Sequence, residues 1–305
     1  MNTDRVIIHI EGLTKHYGSV QALNDLNLDV YQGEIFGYLG PNGAGKTTTI
    51  RMLLDLIRPT AGHATILGMD VQRDSVALHR HIGNLPGELG LWEQMTGWEV
   101  VRYLGELRGG IDEKYVGELA ERLDMDMNRR VRDCSSGMKR KIGLIQALMH
   151  KPQVLILDEP TNGLDPLVQQ TFYQLMREVT AEGRTVFLSS HNLREVETIC
   201  DRVGILNKGR LQAVERISAL KQVRFRWMTL KVANGADPSA FERLEGVSDV
   251  SRENDSIRFR VTGELDPVIK LAAQYHVIDL TYEEPSLEEI FLEYYGEGKK
   301  KGGQA

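Results

Sequence analysis

The chain has 305 residues, 41% of them hydrophobic and 26% charged, with a net charge of −6 at neutral pH. This is the composition of an ordinary soluble globular protein, long enough for two domains, and it gives no general attraction to nucleic acid or to an anionic membrane. No apolar run approaches the ~18 residues of a membrane span, so any membrane contact would come through a partner. Met1-Asn2-Thr3-Asp4-Arg5 lacks the layout of a signal peptide, and Cys134 and Cys200 form neither a disulfide framework nor a metal spacing, which fits a reducing cytoplasm.

Val6–Ile10 and Leu26–Val30 alternate apolar and polar residues, as half-exposed antiparallel strands do. Ile35–Leu39 is a short, wholly apolar run, and it leads into Gly40-Pro41-Asn42-Gly43-Ala44-Gly45-Lys46-Thr47, followed by the helical pattern Thr48–Leu53. A strand, a glycine-rich loop and a helix in that order form a phosphate cradle. The glycines let successive N–H groups converge on the phosphates, and the helix N-terminus adds partial positive charge. Lys46 would pair with the β- and γ-phosphates, and the Thr47 hydroxyl would ligate Mg²⁺.

Between the cradle and Val154 the pattern is mostly helical. Thr96 and Glu99 form a capping box for a helix with an apolar face of Val100, Tyr103, Leu104 and Leu107, and Asp112–Leu123 repeats the period with Tyr115, Val116, Leu119 and Leu123. Trp92 and Trp98 flank the start of this insert, as interface anchors or as core packing. Ser135 opens a further helix through Met149, and Lys139-Arg140-Lys141 reads as a solvated face of it. Val154–Leu157 and Val186–Ser189 are buried-strand patterns, the first ending in Asp158-Glu159. A buried parallel strand delivers its last residues to the ligand-binding edge of its sheet. Asp158 would hold Mg²⁺ through water and Glu159 would orient or deprotonate a water; alone, the pair could instead cap the next helix.

From about Lys221 the order becomes β-α-β-β-α-β, with strands near Trp227–Val232, Val247–Val250, Ile257–Val261 and Val277–Tyr282 and helices near Pro238–Leu244 and Leu265–Tyr275. Ser286–Tyr295 reads as a last helix, capped by Ser286 and Glu289, and Gly296–Ala305 as a disordered tail.

Over about residues 5–220 the chain resembles the ATP-binding subunit of ATP-binding-cassette (ABC) transporters. Besides the two nucleotide motifs, Cys134-Ser135-Ser136-Gly137-Met138 resembles the family signature, Asn162-Gly163-Leu164-Asp165 its D-loop, His191 its switch histidine, and Tyr17 the ring stacked on adenine. The fold implied is α/β: an ABC-type P-loop ATPase core (1–221) with a helical subdomain (about 88–150), plus a small C-terminal α+β domain of split βαβ type (222–305). The resemblance implies ATP and Mg²⁺, with Tyr17, Gly40 to Thr47, and Thr48 on the nucleotide. Ser135, Ser136 and Gly137 would meet the ATP of an opposing subunit, and Asp165 would tie the two sites together. Lys46, Glu159 and His191 would carry the chemistry, and Thr47 and Asp158 the metal. It further implies a second ATP-binding subunit in a homodimer, a separate multi-span permease of an ABC-2 type exporter, and a place on the cytoplasmic face of the membrane.

Two departures stand out. Ser136 and Met138 replace a glycine and a glutamine of the signature, leaving the N–H donors in place and altering affinity or turnover. Gly87 stands where the Q-loop glutamine falls, with Glu88 beside it as a substitute or as a solvated carboxylate. The C-terminal domain is either a stabilising or dimerising appendage or a regulatory sensor. The competing function is a soluble ABC ATPase acting on ribosome or DNA. Members of those classes generally carry two cassettes or long coiled coils, whereas this chain has one Gly40–Thr47 motif and no sustained heptad run.

Overall fold

A computed structural model describes residues 5–220, 225–233, 237–253, 255–283 and 289, and its contacts divide the chain into two units, Met1–Ile217 and Ser218–Ala305. The first unit opens with a long hairpin, β1 (Val6–Tyr17) and β2 (Val20–Tyr31), whose alternation buries Ile8, Ile10, Leu13, Leu23, Leu26, Leu28 and Val30 on one face. β3 (Ile35–Leu39) is buried at every residue and runs through the cradle loop into α1 (Lys46–Leu53). β4 (Ala61–Ile66) and β5 (Met69–Asp70) complete an antiparallel sheet of order β2-β1-β4-β5. Ile50, Met52 and Leu53 of α1 share a core with that sheet and with Phe36, Tyr38, Ile156 and Phe187 of the second one.

The short α2 (Ser75–Leu78) leads to β6 (Ile82–Leu85), after which three helices follow: α3 (Gly97–Glu106), α4 (Glu113–Arg122) and α5 (Ser136–Leu148). Both links of the Thr96–Glu99 capping box are present at α3. Its buried residues are Gly97, Val100, Val101 and Gly105, whereas Tyr103 and Leu107 are exposed, so the stripe is rotated from the one read in the sequence. Gly105 is the physical reason. A Cβ there would lie 2.0 Å from Ile111 Cγ2, so the bare backbone face of α3 is the one that seats against its neighbour.

β7 (Val154–Asp158), α6 (Pro166–Ala181), β8 (Thr185–Ser190), α7 (Leu193–Ile199), β9 (Arg202–Asn207) and β10 (Arg210–Arg216) finish the unit. The main sheet has the order β10-β9-β3-β8-β7-β6 and is parallel except for β10. β3, β8 and β7 are therefore neighbours, and their carboxyl ends place the cradle, His191 and Asp158-Glu159 along one edge. A crossover α/β sheet binds ligands at that edge.

After the short α8 (Ile217–Leu220), the second unit consists of β11 (Phe225–Val232), α9 (Pro238–Glu242), β12 (Val247–Glu253), β13 (Ser256–Thr262), α10 (Asp266–Ala272) and β14 (Val277–Glu283). Its sheet order, β12-β13-β11-β14 with antiparallel pairing throughout, is that of a split βαβ unit. Met228, Leu230, Ile257, Phe259, Phe241 and Val268 form its own core. The helix read over Ser286–Tyr295 and the tail Gly296–Ala305 lie outside the described residues, except for Glu289. Among the described residues no helix is long and apolar enough to cross a membrane.

Candidate functional site: a phosphate cradle at the carboxyl edge of the parallel sheet

The cradle is shaped by close backbone approach. A Cβ on Gly40 would lie 2.4 Å from the Leu206 carbonyl, and Gly45, at φ +112°, passes the Ala22 carbonyl at a would-be 2.7 Å. Gly43, at φ +79°, has no atom within 4 Å of the position of a Cβ, so its surface faces open space. Left-handed backbone of this kind favours glycine, and it turns the N–H groups of the loop one way. Pro41, Asn42 and Thr47 are exposed, Thr48 is half-buried and Ala44 is packed inside.

Lys46, the first residue of α1, is only 6% exposed. Its ammonium donates to the carbonyls of Gly40 (2.7 Å) and Pro41 (3.4 Å) and lies 3.2 Å from Glu159 Oε1. That carboxylate oxygen is buried and receives no well-aligned hydrogen bond among the described residues. The other, Oε2, lies 2.7 Å from His191 Nδ1. The Glu159 N–H donates to Ser189 Oγ (3.0 Å), and its backbone is held at φ +49°, a conformation that a non-glycine residue keeps only where its surroundings impose it. Asp158 is 2% exposed, and its two oxygens accept from the hydroxyls of Thr47 (2.8 Å) and Ser189 (2.5 Å). Lys46 and Thr47 of α1, Asp158 and Glu159 at the end of β7 and His191 after β8, three stretches of chain, thus meet with Ser189 in one polar cluster.

This donor set fits a magnesium-bound nucleoside triphosphate. Mg²⁺ is a hard cation that uses few protein oxygens and completes its shell with water and phosphate. The Thr47 hydroxyl beside the Asp158 carboxylate supplies such a pair. Among the described residues no three His, Cys, Asp or Glu side chains gather as a protein-only metal cage.

The remaining sequence-derived residues lie on neighbouring segments. Ser135 caps α5, its Oγ accepting from the Met138 N–H (3.3 Å). Gly137 packs on the turn before α6, where a Cβ would lie 2.4 Å from the Gly163 carbonyl, and Ser136 is exposed beside it. Asp165 caps α6 through the N–H groups of Leu167 and Val168, and the Val168 N–H is the first of the bonds that hold its carboxyl below the usual carboxylate range. Tyr17 ends β1, half exposed, with the Lys15 ammonium 5.1 Å from its ring centre. Among the described residues no hydrogen bond ties Tyr17, Ser135, Ser136, Gly137 or Asp165 to Lys46, Thr47 or Glu159. Cys134 is buried, its thiol pushed up by that burial and donating to the Arg130 carbonyl.

Lys139-Arg140-Lys141 is not a solvated face: Arg140 is 4% and Lys141 8% exposed. Arg140 reaches back under the sheet edge, and Lys141 donates to the Asp124 carbonyl (3.0 Å). Period alone places cations on a solvent face, but here carbonyls at strand ends and turns provide an interior partner for Arg140 and for Lys141. Glu88 is exposed and makes no hydrogen bond or ion pair among the described residues. Trp92 is exposed, edge-on to Tyr103 at 5.1 Å, and lines a cavity of about 320 Å³ with Leu56, Leu89, Leu104 and Arg108, while Trp98 is half-buried under Arg102. Sequence reasoning missed Ser189, which joins Asp158 to the Glu159 backbone; a hydroxyl at the end of an apolar strand was the available signal.

Comparison with known proteins agrees with this geometry. The ABC transporter family profile matches residues 23–162, and the profile of the C-terminal domain of DrrA1-3-like ATP-binding proteins matches residues 218–295. The bacitracin transport ATP-binding protein BcrA of Bacillus licheniformis is 35% identical over 301 residues, 96% of this chain and 98% of its own length. The Nod factor export ATP-binding protein I of Rhizobium johnstonii is 34% identical over 305 residues, 97% of each chain. A solved ATP-binding subunit of an ABC transporter superposes with a TM-score of 0.67 at 28% identity, covering 71% of this chain and 92% of its own. With a phosphate cradle, a buried lysine and an acidic strand end meeting at one sheet edge, and with relatives matched over nearly the whole length, the chain belongs to the ATP-binding subunits of ABC transporters and is an ATPase of that family.

Proposed function

We propose that this chain is the motor subunit of an ABC-2 type exporter, hydrolysing ATP between two copies of itself and driving a separate multi-span permease from the cytoplasmic face of the membrane. The observation that carries the reading is the meeting of Lys46, Glu159 and His191 within hydrogen-bond reach. The relative named for Nod factor export supports the exporter direction, and the one named for bacitracin transport supports a transport role.

In this reading the cradle N–H groups and Lys46 hold the β- and γ-phosphates, and Tyr17 stacks on the adenine. Thr47 and Asp158 hold Mg²⁺, which when bound neutralises phosphate charge. Glu159 takes the proton of a water as its oxygen bonds to the γ-phosphorus and the bond to the ADP oxygen breaks. Its Oε1, beside the Lys46 ammonium but without an aligned hydrogen bond, is available for that proton, and His191 fixes the other oxygen. Catalysis is mostly positioning and charge stabilisation. Ser135, Ser136 and Gly137 of the opposing copy close over the γ-phosphate, and Asp165 links the two sites. The cavity lined by Trp92 receives the permease. Residues 222–305 form an accessory, regulatory domain, and no nucleic acid takes part.

The test is to purify the Glu159→Gln protein with Mg-ATP from gently solubilised native membranes and identify what accompanies it. A stoichiometric multi-span protein is expected. Ribosomal proteins or DNA, without a membrane partner, would replace this reading with that of a soluble ATPase.

A further inference from the structure

Arg140 follows the signature segment by two residues and is almost wholly buried. Taking a guanidinium out of water is costly unless its donors are satisfied. Here they are satisfied by main chain. Nη1 donates to the carbonyls of Pro86 (3.0 Å) and Gly87 (2.9 Å), Nη2 to those of Asp158 (2.9 Å) and Glu159, and Nε lies 3.4 Å from that of Pro160. Those carbonyls belong to two stretches of chain, the turn after β6 and the end of β7. Among the described residues no other side chain hydrogen-bonds to both. The turn has no side chain of its own at Gly87, where a Cβ would lie 3.0 Å from Asp158 Oδ2. Glu159, whose carboxylate meets Lys46 and His191, keeps its left-handed backbone with its carbonyl in the guanidinium fork.

We infer that Arg140 is a positioning residue for hydrolysis: its fork ties the Pro86–Gly87 turn to the Glu159 peptide, so that displacement of α5 or of that turn is felt at the catalytic carboxylate. The inference rests on the reading of Glu159 as the group that activates water. A lysine would not replace it, because an ammonium offers three donors from one point whereas the guanidinium spans both stretches at once.

The experiment compares full-length wild type, Arg140→Lys, Arg140→Gln and Lys46→Ala for kcat and KM with Mg-ATP. Nucleotide-competent sites are counted with a fluorescent ATP analogue, and hydrogen exchange is followed at residues 86–90 and 159–162. Arg140→Lys should lower kcat per competent site on the order of 10–100-fold, as a misplacement of about 1 Å does. KM should stay within about threefold, because the cradle is untouched, and exchange should quicken in both stretches. A kcat per competent site equal to wild type, or a loss confined to KM or to the number of sites, would overturn the inference while leaving the function intact. Hydrolysis that does not depend on Lys46 would overturn the function as well. If both Arg140 variants fail to fold, one glycine inserted after Gly87 slackens the exposed turn with Arg140 in place. The same loss in kcat is expected, and unchanged turnover refutes the link.

Discussion

Gly137→Ala tests whether the signature helix is seated on the turn before α6 as the structure places it. The new methyl would lie 2.4 Å from the Gly163 carbonyl, so one side must withdraw by about 1 Å to reach ordinary contact. Neither side yields easily. Gly163 sits at φ +78° in a turn pinned by buried Leu164 and by the Asp165 cap, and Gly137 lies in the first turn of α5. Alanine gains at most ~1 kcal/mol over glycine in a helix, and overpacking costs ~1–3 kcal/mol. The balance is a loss of ~0–2 kcal/mol, or a melting temperature lower by ~0–8 °C for a unit of this size. Gly117→Ala in α4 is the control, because nothing lies within 4 Å of its would-be Cβ. It keeps the whole gain and should melt ~2–4 °C higher with unchanged activity. In Gly137→Ala the displaced signature should lower turnover in saturating Mg-ATP on the order of 100-fold. Thermal melts and steady-state phosphate release read both quantities. If Gly137→Ala melts as high as Gly117→Ala and hydrolyses ATP like wild type, the seating of α5 on Gly163 is wrong.

Lys46→Ala should abolish ATP hydrolysis, because it removes the buried cation that faces both the cradle carbonyls and Glu159; phosphate release close to wild type would sink the cradle reading. Glu159→Gln should bind ATP without turnover and elute as a dimer in saturating Mg-ATP, and a purely monomeric profile would count against the two-copy arrangement. His150, whose Nε2 lies 3.1 Å from the Ile82 carbonyl, is pushed down to about 4, first by burial and then by nearby Arg108. Its folded value lies below the free value near 6.5, so the folded chain keeps it neutral. As pH falls from 6.5 toward 4 the unfolded chain binds the proton first and stability drops, on the order of 1 kcal/mol after allowance for partial exposure; above pH 6.5 the group contributes no slope. Urea unfolding of His150→Asn between pH 7 and 4.5 should show a shallower acid slope than wild type, and an equal slope would refute the assignment.

Much of the site was legible because its information is local. A glycine-rich loop must follow a buried strand and open a helix to cradle phosphate, and Ile35 to Leu53 carries all three signals in consecutive residues. The Thr96–Glu99 box and the Ser135 cap are read the same way, since a side chain and the N–H it accepts from are three residues apart. The acidic end of Val154-Leu155-Ile156-Leu157 announced its place at a sheet edge. The resemblance to ABC subunits supplied what period and spacing alone do not, the assignment of Glu159 and His191, 32 positions apart, to one site, and the structure brings the two side chains together.

Other features were decided only when the chain came together. β4 and β6 are short strands that pair with the distant β1 and β7, and β5 is only two residues long, so their own patterns are weak. The face that α3 buries depends on how closely Ile111 approaches Gly105, and no periodicity of α3 contains that distance. Ser189 acquires its role from Asp158 on the adjacent strand β7. Arg140 is the clearest case. A cation on a helix reads as solvated, and it is buried here because folding brings two carbonyl-rich strand ends to its guanidinium. The sequence by itself determined the cradle, the strand that feeds it and the helix caps, because each is written within one turn or one strand of chain. Only the tertiary structure decided which charges are interior and which oxygens of Asp158 and Glu159 are already engaged, because those properties belong to neighbours that folding supplies.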